Sequence, residues 1–140
     1  MPATAEKHQT GKNGTRYAIL IVDDEPSLCD ILAQILDGYE VTTVKNGIEA
    51  VELLGCDQFQ MVITDLMMPM VDGFSVLVTA KKANPKTDVL VLTGYPSLEN
   101  ERRCRALGCT DILAKPFAVT AIRSRVEDCL RRYQRLSPAE

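Results

Sequence analysis

The sequence offers little to a transition metal. It has no Cys-x-x-Cys pair, and its one histidine, His8, stands in the polar stretch from Met1 to Thr15. A zinc site, which draws on clustered cysteine and histidine, is therefore poorly supported. No apolar run approaches the roughly 20 residues of a membrane span, and the first 15 residues contain no apolar segment of the secretory type. Positive charge is not in excess: 16 Lys and Arg against 19 Asp and Glu give a net charge of −3, which gives no general support for nucleic-acid binding. Glycine-rich phosphate fingerprints are missing too. No G-x-G-x-x-G follows the first apolar run, and no G-x-x-x-x-G-K occurs. The turn in that place, Asp23-Asp24-Glu25-Pro26, would repel a pyrophosphate unless a cation intervened.

What is there is one ordinary globular domain. The chain has 140 residues, 46% hydrophobic and 25% charged, a common size and composition for a single core. Residues 1–15 read as a mobile tail, with His8 a solvated member of it, residues 16–135 as the folded domain, and residues 136–140 as a short C-terminal tail. Five cysteines, an odd number, suggest reduced thiols in a cytoplasmic chain, used as small buried residues.

From Tyr17 onward the pattern alternates. Strands are predicted over about 17–22, 40–44, 61–65, 88–93 and 111–114. The first, third and fourth are continuous apolar runs, as expected of parallel strands covered on both faces. Helix one begins at Pro26, with Leu28, Ile31, Leu32, Ile35 and Leu36 on one face and Gly38 as its stop. Helix two spans about 47–54, with Ile48, Val51 and Leu54 in line. Helix three starts near Gly73 and ends before Asn84-Pro85. Helix four covers about 98–107, capped by Ser97. Helix five covers about 119–134, with Ile122, Val126, Cys129, Leu130 and Tyr133 as its stripe. Five βα units with right-handed crossovers predict an open, doubly wound parallel α/β sheet. In such sheets ligands bind beyond the carboxyl ends of the strands.

The residues at those ends are unusual. Asp65 closes the third strand and opens a Pro- and Gly-bearing loop. Asp23 and Asp24 follow the first strand, Thr93 ends the fourth, and Lys115 follows the fifth. In a parallel sheet these acids, the hydroxyl and the amine converge on one edge. Asp23 and Asp24 have an alternative use as caps of helix one. Asp72-Gly73 reads as turn chemistry, and Met67, Met68 and Met70 as loop packing.

These motifs carry a resemblance. Val22-Asp23-Asp24-Glu25, Thr64-Asp65-Leu66-Met67-Met68-Pro69 with Asp72-Gly73, Leu92-Thr93-Gly94 and Lys115-Pro116-Phe117 occur in order at the expected strand ends. The chain resembles the receiver domain of bacterial two-component response regulators, over about residues 16–134. The resemblance implies a flavodoxin-like fold with strand order 2-1-3-4-5. It implies that Asp65 accepts a phosphoryl group from a sensor histidine kinase or phosphotransfer protein, and that Asp23, Asp24, Asp65 and the backbone carbonyl of Met67 hold Mg²⁺. Thr93 would donate its hydroxyl to the phosphoryl group, Lys115 would pair with it, and Lys115–Pro116 would be cis. Charge agrees: Mg²⁺ and the Lys115 ammonium bring +3 against the three carboxylates.

One position departs from the family pattern. The place three residues before the lysine, often an aromatic switch, is Ile112, and Tyr95 stands two residues past Thr93 as a candidate modulator of the signal. Two other functions compete. A phosphohydrolase of the haloacid dehalogenase type would need an acid two residues after the nucleophile, where Met67 stands. A degenerate receiver, serving only as an interaction module, would have lost Asp65 or the acid pair. No effector motif follows helix five, so a stand-alone receiver and a portion of a longer regulator both remain open. The arginines of helix five, Arg123, Arg125, Arg131, Arg132 and Arg135, give it a basic side. They read as a solvated or partner-docking face rather than a nucleic-acid contact. By resemblance, helix four, strand five and helix five would carry any homodimer contact, with Glu99, Glu101, Arg102, Arg103 and Arg105 to pair charges.

Overall fold

The computed structural model describes residues 17–136; the expected N-terminal tail over 1–15, with His8, lies outside them, as do residues 137–140 of the C-terminal tail expected over 136–140, whose first residue, Leu136, is helical instead. Five strands, β1 (Ala18–Val22), β2 (Glu40–Val44), β3 (Met61–Asp65), β4 (Asp88–Thr93) and β5 (Asp111–Ala114), alternate with five helices, α1 (Pro26–Ile35), α2 (Gly47–Leu54), α3 (Gly73–Ala83), α4 (Leu98–Ala106) and α5 (Val119–Leu136). All strand pairs are parallel, in the order β2-β1-β3-β4-β5. Element boundaries match the expected ones to within two residues.

Side-chain alternation along the strands divides the core into two layers. Leu20, Val22, Val62, Val89 and Val91 face α2, α3 and α4, where Ala50, Leu54, Phe74, Leu77 and Cys104 meet them. Ile19, Ile21, Ile63, Leu90 and Leu92 face α1 and α5, against Cys29, Leu32, Leu36, Ile122, Val126 and Cys129. β1 and β3 are buried along their whole length, as continuous apolar runs require.

Two helix faces depart from expectation. In α1, Ile31 is 48% exposed, and Cys29 and Leu32 are the buried residues, with Leu36 buried just past the helix end. In α2, Ile48 is 38% exposed and Val51 only half-buried, while Gly47, Ala50 and Leu54 are buried. In both cases a small residue, Cys29 or Ala50, takes the inward position because the helix lies close on the sheet, and a larger apolar neighbour turns outward.

Gly73 is where close approach is absolute. A Cβ there would stand 2.2 Å from the carbonyl oxygen of Asp65 and 2.7 Å from the Cα of Leu66. The Gly73 amide donates to the Leu66 carbonyl at 2.9 Å, so α3 starts hard against the end of β3. Asp72, expected as turn chemistry, also caps α3: its carboxylate accepts from the Ser75 amide at 3.0 Å. Gly73→Ala therefore costs about 1–3 kcal/mol of stability in urea unfolding, since backbone cannot yield to the new methyl. Gly94→Ala, whose methyl meets nothing within 4 Å, stays within about 0.5 kcal/mol. Equal losses from the two substitutions would contradict this packing.

Candidate functional site

Strand register builds the site. Val22 lies opposite Thr64, Asp65 opposite Leu92, and Thr93 opposite Ala114. Hydrogen bonds carry the ladder past the strand ends: the Asp23 amide donates to Val44, the Leu66 amide to Leu92 and the Lys115 amide to Thr93. Asp23, Asp65, Thr93 and Lys115 thus leave the sheet from fixed backbone positions at the same edge.

The side chains meet as the strand-end reading expects. Lys115 Nζ lies 3.0 Å from Asp23 Oδ2 and 3.4 Å from Asp65 Oδ2. Asp23 and Asp65 are buried, and Asp24 is exposed. One carboxylate oxygen from each of the three lies within 4.8 Å of the others, close enough to share an ion. All three donors are hard carboxylate oxygens, the set that suits Mg²⁺ or Ca²⁺. At about 4.8 Å and an effective dielectric of about 20, the buried Asp23–Asp65 repulsion is roughly 3 kcal/mol. One ammonium offsets only part of a triple negative charge.

The alternative use of Asp23 and Asp24 as caps of α1 is not observed. The N-cap residue is Glu25, with no side-chain cap, and Pro26 opens the helix. Asp23 Oδ1 instead accepts from the Glu25 amide at 2.9 Å, which fixes the carboxylate toward Lys115. Thr93 is buried at the end of β4, and its hydroxyl oxygen accepts from the Tyr95 amide at 2.9 Å. Its own proton is left for another acceptor. Tyr95 is 70% exposed. Ile112 lies on β5 opposite Val91, half-buried against the core layer that faces α2, α3 and α4. Lys115–Pro116 is cis. Loop packing holds for Met68, which is buried, but not for Met67 or Met70, which are exposed; Met70 also adopts φ 70°.

Some contributors carried no recognisable sequence signal. The Cys29 thiol donates to the Asp23 carbonyl at 3.3 Å, and Thr64 Oγ1 donates to the Asp65 carbonyl at 2.9 Å. Both steady the backbone beneath a carboxylate. Glu25 brings a fourth acid to 3.8 Å from Lys115. Of the cysteines, Cys29, Cys104 and Cys129 are buried, while Cys56 is exposed and Cys109 intermediate.

The titration behaviour follows from this crowding. Burial pushes the Asp65 carboxyl above the ordinary range; Lys115 opposes that and Asp23 adds to it. Burial alone would lower the Lys115 ammonium, but the hydrogen bond and charge of Asp23, and then Asp65, hold it higher than usual. A raised carboxylate means that ionising Asp65 works against folding above its folded pKa. The penalty fades as pH falls through that value and is gone below the ordinary one. Asp65→Asn therefore raises the Tm of the metal-free protein at pH 7, by a margin that shrinks on acidification. An equal or lower Tm at pH 7, measured in EDTA, contradicts the crowding.

Comparison with known proteins places this geometry in a family. A family model described as the response regulator receiver domain matches residues 19–127. The DNA-binding dual master transcriptional regulator RpaA of Synechocystis is 34% identical over 125 residues, 86% of this chain and 52% of the relative. The chain spans about half or less of the length of the curated relatives it matches. A CheY-like receiver domain from Methanospirillum hungatei superposes with a TM-score of 0.82 at 28% identity, covering 85% of this chain and 97% of that one. A Burkholderia pseudomallei response regulator, solved with a phosphorylated aspartic acid, calcium ion and citrate, gives 0.74 at 28% identity, covering 87% and 73%. With a family match over most of its folded residues, this chain belongs to the response regulator receiver domain family.

Proposed function

We propose that Asp65 is the phosphoacceptor of this receiver and that Asp23, Asp24, Asp65 and the backbone carbonyl of Met67 form its Mg²⁺ site. The observation that carries the reading is the three-carboxylate cluster closed on one side by Lys115. A related response regulator solved with a phosphorylated aspartic acid and a calcium ion supports both halves of it.

The chemistry asked of the chain is small. A carboxylate oxygen of Asp65 attacks phosphorus in line, and the bond from phosphorus to the donor, a phosphohistidine nitrogen or an acyl oxygen, breaks with its electron pair leaving on the donor. Such transfers need alignment and charge neutralisation more than bond-making assistance from the protein. Burial and the β3 ladder align Asp65, and Lys115 supplies one positive charge. Bound Mg²⁺ would neutralise the carboxylates and the phosphoryl oxygens. The acceptor passes from charge −1 to near −2. That extra charge attracts the spare proton of the Thr93 hydroxyl. Because the same hydroxyl oxygen holds the Tyr95 amide, movement of Thr93 pulls the loop leading into α4. Ile112, lacking an aromatic ring, takes the place of the usual switch by packing alone.

The donor partner is a sensor histidine kinase or phosphotransfer protein, and the reaction takes place in the cytoplasm. Turnover is limited to the chain's own phosphorylation and its hydrolysis. A second copy could dock through α4, β5 and α5, with fewer available charges than the sequence suggested. Arg105 pairs with Glu101 and Asp111, Arg125 with Asp111, Arg132 with Asp88, and Arg131 with Asp128, all within the chain. Arg103 stacks over the Phe74 ring at 3.9 Å. The same pairing offsets part of the basic side expected of α5, at Arg125, Arg131 and Arg132. No helix among the described residues is long and apolar enough to cross a membrane. The phosphohydrolase reading has no support at the leaving-group position, where Met67 is exposed and carries no acid.

Incubation with acetyl phosphate and Mg²⁺ adds one phosphoryl group in intact-mass analysis, and Asp65→Asn takes none; undiminished labelling of Asp65→Asn moves the acceptor elsewhere. Asp24→Ala weakens Mg²⁺ binding at least tenfold by calorimetry, on the order of the loss from removing one charged ligand. Unchanged affinity rejects Asp24 as a ligand.

A further inference from the structure

We propose that Cys104 and Cys109 form an oxidisable dithiol whose disulfide staples the junction between α4 and β5. Residues five apart in a continuous helix are separated along the axis and turned to different faces. Here the helix ends between them. The Cys109 amide donates to the Cys104 carbonyl at 3.1 Å and the Gly108 amide to the Arg105 carbonyl at 3.0 Å, with Gly108 at φ 101°. That is the paired closure of a Schellman turn, a motif that frequently brings the side chains at these two positions together. Both cysteines pack in the layer facing α2, α3 and α4, Cys104 fully buried and Cys109 half-buried. Cys104 lies near enough to Cys109 to oppose ionisation of the Cys109 thiol.

Closure proceeds by exchange with a small-molecule disulfide. The Cys109 thiolate, the more accessible sulfur, attacks one sulfur of the oxidant, whose S–S bond breaks and releases a thiolate. The Cys104 sulfur, losing its proton, then attacks the mixed disulfide and releases the second small thiol. The two protons given up by the protein end on the two released thiols, and the protein pair is oxidised by two electrons as the oxidant is reduced. Burial, and then Cys104, push the Cys109 thiol up to about 11. Arg105 opposes the rise, Asp111 and Glu101 add to it, and the Lys81 side chain from α3 packs at Gly108. The resting pair is thus protected at neutral pH, and its closure rate climbs about tenfold per pH unit as thiolate appears.

The staple would fix the last turn of α4 to the start of β5, the strand that leads to Lys115. The test uses the Cys56→Ser protein, which lacks the exposed competing thiol, treated with oxidised glutathione at pH 8.5, then denatured and alkylated with N-ethylmaleimide. Of the four thiols that remain from five, two become protected, a reductant restores them, and amide exchange across residues 107–110 slows. Adding Cys109→Ser leaves all four minus the substituted one alkylated. Cys104→Ala removes a fully buried sulfur and risks the fold, so Cys109→Ser carries the test. Full alkylation after oxidant, or protection that persists in Cys109→Ser, overturns the proposal.

Discussion

Two buried carboxylates and one ammonium, drawn from strands far apart in the chain, are the constraint around which the rest of this structure is arranged. Asp23 and Lys115 are 92 residues apart in sequence and 3.0 Å apart in space. Removing two acids from water is expensive, and one lysine repays it only when geometry is close and the remaining lone pairs find donors. The parallel ladder provides that closeness. The Glu25 amide, which donates to Asp23 Oδ1, satisfies part of the rest. What is left unsatisfied is negative charge, and that remainder is what the proposed cation would offset.

The surroundings tie this charge to α3 and α4. Gly73 sets α3 directly on the backbone of Asp65, and the next residue, Phe74, supports Arg103 of α4. Thr93 shares its hydroxyl oxygen with Tyr95 at the entrance to α4. Packing thus links the Asp65 backbone to α4 through Gly73 and Phe74, and a hydrogen bond links Thr93 to the entrance of α4. Met70, exposed and at φ 70°, stores about 1 kcal/mol of backbone strain in the loop between Asp65 and α3.

Much of this was legible in the residues. Apolar runs ending in Asp23, Asp65, Thr93 and Lys115 gave the strand ends, and strict βα alternation placed those ends on one edge. The same reading misjudged Ile31 and Ile48, because periodicity identifies an apolar stripe but not how close a helix lies to its sheet; Cys29 and Ala50 win the inward positions by being small. It could not foresee the partners of Arg125 and Arg132, because Asp111 and Asp88 are distant in sequence and visible only once β4, β5 and α5 are packed. It took Met67 and Met70 for loop packing, although a short loop over a charged pocket leaves them no apolar surface to cover. The Cys29 and Thr64 contacts to backbone carbonyls follow no spacing rule.

The fold persists at 28% identity to a solved receiver. The account stands or falls on a single shared cation pocket at the sheet edge. Titrating the isotope-labelled protein with Mn²⁺ and following amide resonances measures its position directly, since a paramagnetic ion broadens nearby nuclei first. The amides of Asp24, Leu66 and Lys115 should vanish together at the lowest Mn²⁺ concentrations and return on adding excess Mg²⁺. Broadening centred anywhere else, or spread evenly over the acidic surface, would contradict it.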